Sequence, residues 1–548
     1  MSAISQAREW LAADPDPDTR AYLSQLLAQA ADPARHDDAM AQLGALFAGR
    51  LEFGTAGLRG KLGPGPSRMN RVVVGQAAAG FGRWLMQQGL GGGAVIVGFD
   101  ARWKSDEFAT ETARLLTGMG FRVLLTEEPT PTPIVAFGIQ HFGCVAGIVV
   151  TASHNPPQDN GYKVYLGDGS QIVPPADHEI SEHIGRITPA ELAGLPRAED
   201  AELLGECLLS AYVAHATTLV EPKAPRQVRW VHSAMHGVGA QPIRDLADAC
   251  GFPPPDEVPQ QAEPDPEFPT VAFPNPEEAG AIDLSLALAQ EVGADVVIAN
   301  DPDADRCAVA APIDGVWRML TGDELGALLG EDAIRRGAPG VLANSVVSST
   351  LLGRMAAASG REHKTTLTGF KWIGRVPDLA YGYEEAIGYC VDPSAVPDKD
   401  GLTAALAVLR ITAELAAEGR TLADRLDEIV HTYGLHATSQ LSRRVADLSI
   451  IAEAMARLRG APPATLLGER VKVVDLADGG ELPPTDAIEL SGEWVHVVAR
   501  PSGTEPKLKC YLEVRLSPED SADPSEARAI AADLLAELSA QMATALGI

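Results

Sequence analysis

Residues 146–165 read Ala-Gly-Ile-Val-Val-Thr-Ala-Ser-His-Asn-Pro-Pro-Gln-Asp-Asn-Gly-Tyr-Lys-Val-Tyr, a buried strand that stops abruptly at a polar loop. Gly147 to Val150 supply the β-branched run, and Asn155, Pro156, Pro157, Asp159, Asn160 and Gly161 supply the breakers. The loop opens at Thr151 and holds Ser153 and His154 at a strand end, where open α/β sheets bind ligands. Lys163 follows in a second strand-like piece, so a cation can fold back toward the hydroxyl. Serine is a weak nucleophile until it is activated. A polar turn that caps a helix has the same composition, so the rest of the chain must decide.

Around this stretch, helix and strand alternate. Residues 72–89 read as a helix, 94–99 as a buried strand, 105–119 as a helix, 121–125 as a strand and 133–140 as a helix. This is the βαβ signature of a sheet covered on both faces. Asp100-Ala101-Arg102 closes one strand on the ligand edge, which makes Arg102 a candidate for substrate contact. Upstream, residues 1–48 predict two or three short helices broken by Asp-Pro pairs. Then comes Phe53-Gly54-Thr55-Ala56-Gly57-Leu58-Arg59-Gly60, whose glycines suit a backbone closing around an anion, with Arg59 at its centre.

Downstream, a Pro/Asp/Glu-rich region at 252–278 punctuates a second α/β unit with strands at 228–232 and 295–299. A third unit begins near Asp314, with strands at 340–344 and 365–369, and a helical stretch covers 400–432. A smaller segment ends the chain, with strands near 471–475, 494–499 and 508–514 and a helix at 524–545. The expected divisions are 1–207, 208–313, 314–435 and 436–548. A chain of 548 residues is too long for one core.

Composition narrows the function. A hydrophobic content of 46% describes an ordinary soluble chain, and a formal charge of −30 argues against nucleic-acid or anionic-membrane partners. Six cysteines lie far apart with no C-x-x-C pair and read as single buried thiols in a reducing compartment. No signal peptide and no uninterrupted apolar run long enough to span a bilayer are seen, so a cytoplasmic protein is expected.

Three constellations carry chemistry. Asp301, Asp303 and Asp305 follow an apolar strand at i, i+2, i+4, a hard-oxygen set suited to Mg²⁺. An EF-hand fails, because its sixth position would be Arg306 and its twelfth Pro312. A haloacid-dehalogenase-type aspartyl nucleophile starting at Asp301-Pro302-Asp303 and a solvated turn both remain open. Arg500-Pro501-Ser502-Gly503-Thr504, with Lys507 beyond, offers a guanidinium, two hydroxyls and backbone N–H groups, the inventory of a phosphate site. Glu384 and Glu385 lie between glycines in a loop and can act as acid and base or accept sugar hydroxyls. With Lys371, Trp372 and Lys399 near them in sequence, this unit reads as a polyol-binding wall, although an exposed acidic turn fits too.

Together these loops are similar to the four signatures of the α-D-phosphohexomutases. The resemblance rests on Thr151-Ala152-Ser153-His154-Asn155-Pro156, Asp301-Pro302-Asp303-Ala304-Asp305-Arg306, Glu384-Glu385-Ala386-Ile387-Gly388 and Arg500-Pro501-Ser502-Gly503-Thr504-Glu505-Pro506, in the family's order. It implies an α/β fold of four domains around a central cleft, three similar α/β domains with mixed sheets and a smaller α+β domain. It also implies Ser153 as phosphoserine beside His154, and Mg²⁺ held by the three aspartates and the serine phosphate. Arg306 would face the centre, Lys163 would serve acid–base work, and Arg59 would match the arginine of the N-terminal glycine loop. Glu384 would accept sugar hydroxyls, and Arg500, Ser502, Gly503 and Thr504 would bind the idle phosphate.

The implied reaction passes a phosphoryl group from Ser153 to a sugar monophosphate, with a sugar 1,6-bisphosphate as activator and intermediate, in a monomer or homodimer. One departure matters: Glu384-Glu385-Ala386 stands where many hexose mutases have Glu-x-Ser. With Gly54-Thr55-Ala56-Gly57 and Gly369-Phe370-Lys371-Trp372, it places the chain near phosphopentomutases and bacterial α-phosphoglucomutases. Glucose phosphate ranks first as substrate, mannose phosphate second and pentose phosphates third. A Mg²⁺-dependent phosphatase and a catalytically silent sugar-phosphate sensor are the alternatives.

Overall fold

The computed structural model describes residues 2–54, 57–445, 447–502 and 507–548. The chain forms two compact units: residues up to Cys307 with Ser394–Leu406, and Ala308–Pro393 with Ala407–Ile548.

The first unit opens with three helices, α1 (Ala3–Ala13), α2 (Pro17–Ala31) and α3 (His36–Phe47). Asp16 caps α2 and Pro17 fills its first position, so the Asp-Pro pair that breaks the periodicity also starts the next helix. Six strands follow: β1 (Leu58–Lys61), β2 (Ala94–Phe99), β3 (Arg122–Thr126), β4 (Ala146–Val150), β5 (Asp159–Leu166) and β6 (Glu202–Leu204). Their order in the sheet is β1-β5-β4-β2-β3-β6. β2 pairs in parallel with β3 and β4, whereas β5 returns antiparallel to β4. That short return brings Lys163 back alongside Val149, near the end of β4. Helices α5 (Ser105–Gly118) and α6 (Thr132–His141) pack on this sheet, and α4 (Arg71–Gln87) packs on α5.

The glycine-rich stretch ends in a strand: Leu58 to Lys61 pair with Tyr162 to Asp159. Gly57, at φ +74°, sits against the Tyr162 carbonyl more closely than a Cβ permits. A second sheet contributes β7 (Trp230–Ser233), β8 (Asp256–Glu257) and β9 (Val296–Ala299), with β7 parallel to both neighbours.

In the second unit, β10 (Ala308–Ile313) and β11 (Val316–Met319) form a hairpin. Four strands make a mixed sheet: β12 (Val341–Ser345), β13 (His363–Thr366), β14 (Leu379–Glu384) and β15 (Gly388–Cys390), in the order β13-β12-β14-β15. The last sheet is antiparallel throughout, with β16 (Leu435–Arg444), β19 (Lys472–Asp475), β20 (Ile488–Ser491), β21 (Val495–Pro501) and β22 (Lys507–Leu516); β17 (Thr465–Leu466) and β18 (Glu469–Arg470) form a separate small hairpin.

Several expectations change. The strand expected at 365–369 is instead 363–366, because Gly369 at φ +104° starts the helix Phe370–Ile373. The helical stretch at 400–432 divides into Gly401–Ala417 and Leu422–Tyr433, with Thr421 capping the second. Cys207 is exposed, so the cysteines are not all buried, although all six are free thiols. The helix Pro524–Leu546 is long and apolar enough to cross a membrane by length and composition. Its Ala527, Ala531, Leu538, Met542 and Leu546 are buried, and the helix packs on β16 and β22.

Candidate active site

In the first unit, β4 ends at Val150, and Ser153 sits in the turn beyond it at φ +53°, a left-handed backbone costly for serine. One residue holds that turn. Arg102, 4% exposed, donates to the carbonyls of Ser153 at 2.6 Å, Asn155 at 2.5 Å, Pro156 at 2.9 Å and Asp159 at 3.2 Å. Its Nε lies 3.3 Å from Asp100 Oδ2, and its guanidinium lies 4.8 Å over the Phe268 ring. The expectation that Arg102 touches substrate is therefore corrected: its terminal nitrogens are spent on loop carbonyls, and it is a positioning residue.

Ser153 Oγ donates to Asp301 Oδ2 at 2.7 Å and lies 3.2 Å from His154 Nδ1. The Ser153 N–H donates to Thr151 Oγ1. Asp301, Asp303 and Asp305 are fully buried after β9, each offering an oxygen within 4.8 Å of the others. Lys163 Nζ donates to Asp303 Oδ2 at 2.6 Å and Asp305 Oδ2 at 2.7 Å. Thr132, at the start of α6, donates to Asp303 Oδ2 at 2.6 Å. Arg306 contributes its backbone N–H to Asp301, and Arg59 donates to Asn155 Oδ1 at 3.3 Å.

The electrostatics follow. Burial and the two neighbouring carboxylates push the Asp301 pKa well up, while Lys163 holds Asp303 and Asp305 down. Burial and the cations Arg306 and Arg59 push His154 well below its ordinary value, so its imidazole is neutral. Asp303 Oδ1 and Asp305 Oδ1 are buried with no hydrogen-bond partner. Two orphaned carboxylate oxygens inside a hard-oxygen set fit a divalent cation.

Lys399 Nζ is 3.6 Å from Asp305 Oδ2 and 3.8 Å from Asp398 Oδ1, and its segment clusters with the first unit. Asn300 secures this junction, donating to the carbonyls of Arg306 at 2.7 Å and Gly401 at 3.3 Å. His232 Nε2 meets Asn300 Oδ1 at 3.0 Å, and burial pushes the His232 pKa down to about 4.

In the second unit, Glu384 ends β14 and Glu385 begins the tight turn into β15. The pair thus occupies a hairpin and not an open loop. Glu385 Oε2 accepts from Ser345 Oγ at 3.1 Å and Ser348 Oγ at 3.2 Å. Lys371 lies in the helix Phe370–Ile373, its Nζ 6.0 Å from the Trp372 ring centroid. Arg500 lies near the end of β21, and the Ser502 N–H donates to the Lys507 carbonyl at 2.8 Å. Gly503 and Thr504, like Thr55 and Ala56, lie outside the described residues. Tyr511, on β22, links these pieces. Burial raises its pKa, Glu385 and Glu384 raise it further, and Arg500 lowers it, so all three charges act on one phenol.

Sequence reasoning missed Thr132, Asn300 and Tyr511. Asn300 adjoins the aspartate motif and Thr132 opens a Thr-Pro helix start, but only tertiary packing aims them.

Four family models match the chain: phosphoglucomutase/phosphomannomutase alpha/beta/alpha domain I over 50–191, domain II over 210–313, domain III over 321–433, and the C-terminal domain over 442–531. The chain is 42% identical over 473 residues to the “Probable phosphomannomutase” of Haemophilus influenzae, covering 85% of this chain and 96% of that one. It is 37% identical over 543 residues to the phosphopentomutase of Homo sapiens, covering 88% and 87%. It is 30% identical over 502 residues to a phosphoglucomutase of Staphylococcus aureus, covering 86% and 90%. A crystal structure described as a “putative phosphomannomutase” from Thermus thermophilus superposes with a TM-score of 0.70 at 26% identity, covering 87% of this chain and 99% of that one.

Proposed function

This chain belongs to the phosphoglucomutase/phosphomannomutase family, and from that premise we propose that it exchanges a phosphoryl group between the 1-position and the terminal position of a sugar phosphate through Ser153. The observation that carries the assignment is Ser153 Oγ, 2.7 Å from Asp301 and 3.2 Å from a neutral His154, on a turn gripped by Arg102.

In the forward step, the substrate hydroxyl oxygen bonds to the phosphorus of phosphorylated Ser153 as the bond to Oγ breaks. The hydroxyl proton leaves to a base, a role assigned to neutral His154, whose Nδ1 lies 3.2 Å from Oγ. Lys163, held as an ammonium between two carboxylates, has a proton to give and neutralises charge at the leaving oxygen. Arg59 and Arg306 add positive charge beside the same loop. Asp301, Asp303 and Asp305, with the serine phosphate, would hold Mg²⁺, which when bound supplies Lewis-acid polarisation of the phosphoryl group. The sugar bisphosphate then turns over and returns its other phosphate to Ser153. Glu384 is assigned to the sugar hydroxyls, with Glu385 and Lys371 beside it. Arg500, Ser502, Gly503, Thr504 and Lys507 are assigned to the idle phosphate.

For the sugar, glucose 1-phosphate remains the first choice. Mannose 1-phosphate is second, supported by the 42% identity to the “Probable phosphomannomutase” of Haemophilus influenzae over 85% of this chain. Pentose phosphates are third: Ala386 offers no hydroxyl to a hexose ring, and the human relative that aligns with 88% of this chain is a phosphopentomutase. The test is a ³¹P NMR time course with Mg²⁺ and a trace of glucose 1,6-bisphosphate on glucose 1-phosphate, ribose 1-phosphate and mannose 1-phosphate in parallel. Expected is conversion to terminal phosphates without free phosphate. Release of inorganic phosphate would make the protein a phosphatase, and no change in any tube would make it a sensor.

A further inference from the structure

A cavity of about 560 Å³ lies away from Ser153, between α2, α3, the loop 62–70 and the turn Trp103-Lys104. That size lies within the roughly 300–1,000 Å³ of small-molecule sites. One wall comes from residues 16–46, which precede the first matched family domain at residue 50.

The chemistry of the lining selects a ligand. Leu46, Leu62, Met69 and Phe108 form an apolar floor. Tyr22 and Trp103 stand at the edge, 47% and 51% exposed. Their polar ends are already engaged, Tyr22 Oη with Gln42 Oε1 at 3.2 Å and Trp103 Nε1 with Glu267 Oε1 at 2.6 Å. What they offer a ligand is ring surface. Lys104 is occupied by Asp16, Asp18 and Glu107. Arg68 is different: it donates to the neighbouring Ser67 carbonyl at 3.2 Å and has no carboxylate partner among the described residues. In a chain with 74 acidic and 44 basic side chains, a guanidinium left without a carboxylate beside aromatic walls is suited to an anion.

We propose that this cavity is an effector site for a small aromatic anion, its rings against Tyr22 and Trp103 and its charge on Arg68. The coupling route is short. Trp103 and Lys104 directly follow Arg102, whose guanidinium holds the Ser153 turn, and Lys104 itself takes a left-handed φ of +68°. A ligand pressed on Trp103 therefore acts on the residue that fixes the nucleophile loop. The coupling rests on the mutase reading; the binding does not.

The probe is 8-anilinonaphthalene-1-sulfonate, two aromatic systems with one anionic group, titrated into the full-length protein by fluorescence. Glucose 1-phosphate turnover is measured on the same samples, so that wild-type conversion reports on the mutase reading separately. Expected is one saturable site per chain, weakened at least tenfold by Arg68→Leu and removed by Ala45→Trp, which fills the cavity. Both variants should keep wild-type turnover without probe. Saturating probe should change wild-type turnover at least twofold and leave Ala45→Trp unchanged. Absence of a saturable site, or equal affinity in either variant, overturns the site. Binding with unchanged turnover overturns the effector role.

Discussion

Ser153 combines a left-handed backbone with a buried side chain, two features that nothing local to serine favours. The four carbonyls gathered by Arg102 supply the compensation, since charge-assisted hydrogen bonds are the strong ones. Ser153→Ala should lower turnover by roughly 10³-fold or more while sugar phosphate still binds, because only the group that carries the phosphoryl is removed. Isothermal titration beside the ³¹P assay checks this, and equal turnover in the variant would remove Ser153 from the reaction. A second residue carries a pH signature. Burial raises the Asp323 pKa to about 7, and Glu385 and Glu513 add to the effect. Its carboxylate accepts from the Ser349 N–H at 2.7 Å and the Tyr383 hydroxyl at 3.0 Å. A carboxyl raised on folding stabilises below its unfolded value of 3.8, and that contribution is lost as pH rises toward about 7. Between pH 5 and 7 the loss should be on the order of 2 kcal/mol, and Asp323→Asn should abolish it in urea-unfolding series. A parallel pH slope in the variant would place the titration elsewhere.

At the level of elements, β22 illustrates how one strand fastens the second unit. Its Glu513 accepts from Ser349 Oγ at 2.6 Å, the Thr350 N–H at 2.9 Å and Thr350 Oγ1 at 2.8 Å, all at the start of the helix Leu351–Ala358. His436 of β16 lies 3.1 Å away, and His496 and Arg515 stand at 3.9 and 4.0 Å. Burial raises the Glu513 pKa, but these partners overcome it and hold the group at about 2. A depressed carboxylate stabilises above its unfolded value of 4.5 and loses that contribution as pH falls toward 2. Glu513→Gln should therefore cost about 3 kcal/mol at pH 7, with the difference from wild type shrinking below pH 4.5. Acid unfolding of both proteins, followed by circular dichroism, decides it; a difference independent of pH would mean lost packing. None of this node was legible in the sequence, because Ser349, His436 and Glu513 belong to distant segments with no motif. The β4 strand and the aspartate loop were legible, because β-branched runs ending in breakers, and aspartates alternating after a strand, are local patterns. The Glu384 hairpin was misread for the opposite reason: its glycines suggest a loop, and only pairing of Gly382 with Cys390 makes it a turn.

Over the whole molecule, a formal charge of −30 opposes an anionic substrate. The reaction centre offsets this only locally. Arg59, Lys163, Arg306 and Lys399 stand against Asp301, Asp303 and Asp305, a near balance within contact range. Beyond that range the excess acidic charge sets the field, and its reach is the Debye length, about 30 Å at 0.01 M salt and about 8 Å at 0.15 M. Repulsion should therefore raise KM at low ionic strength and fade as salt is added, whereas contacts made inside the site are less screened. KM for glucose 1-phosphate should fall roughly two- to fivefold between about 10 and 150 mM NaCl at constant Mg²⁺, with kcat nearly constant. The same series with Arg500→Gln should show a higher KM throughout but the same downward trend, since the long-range charge is nearly unchanged. A KM that climbs steadily with salt in the wild type would mean that the local cations, not the acidic exterior, govern approach of the substrate.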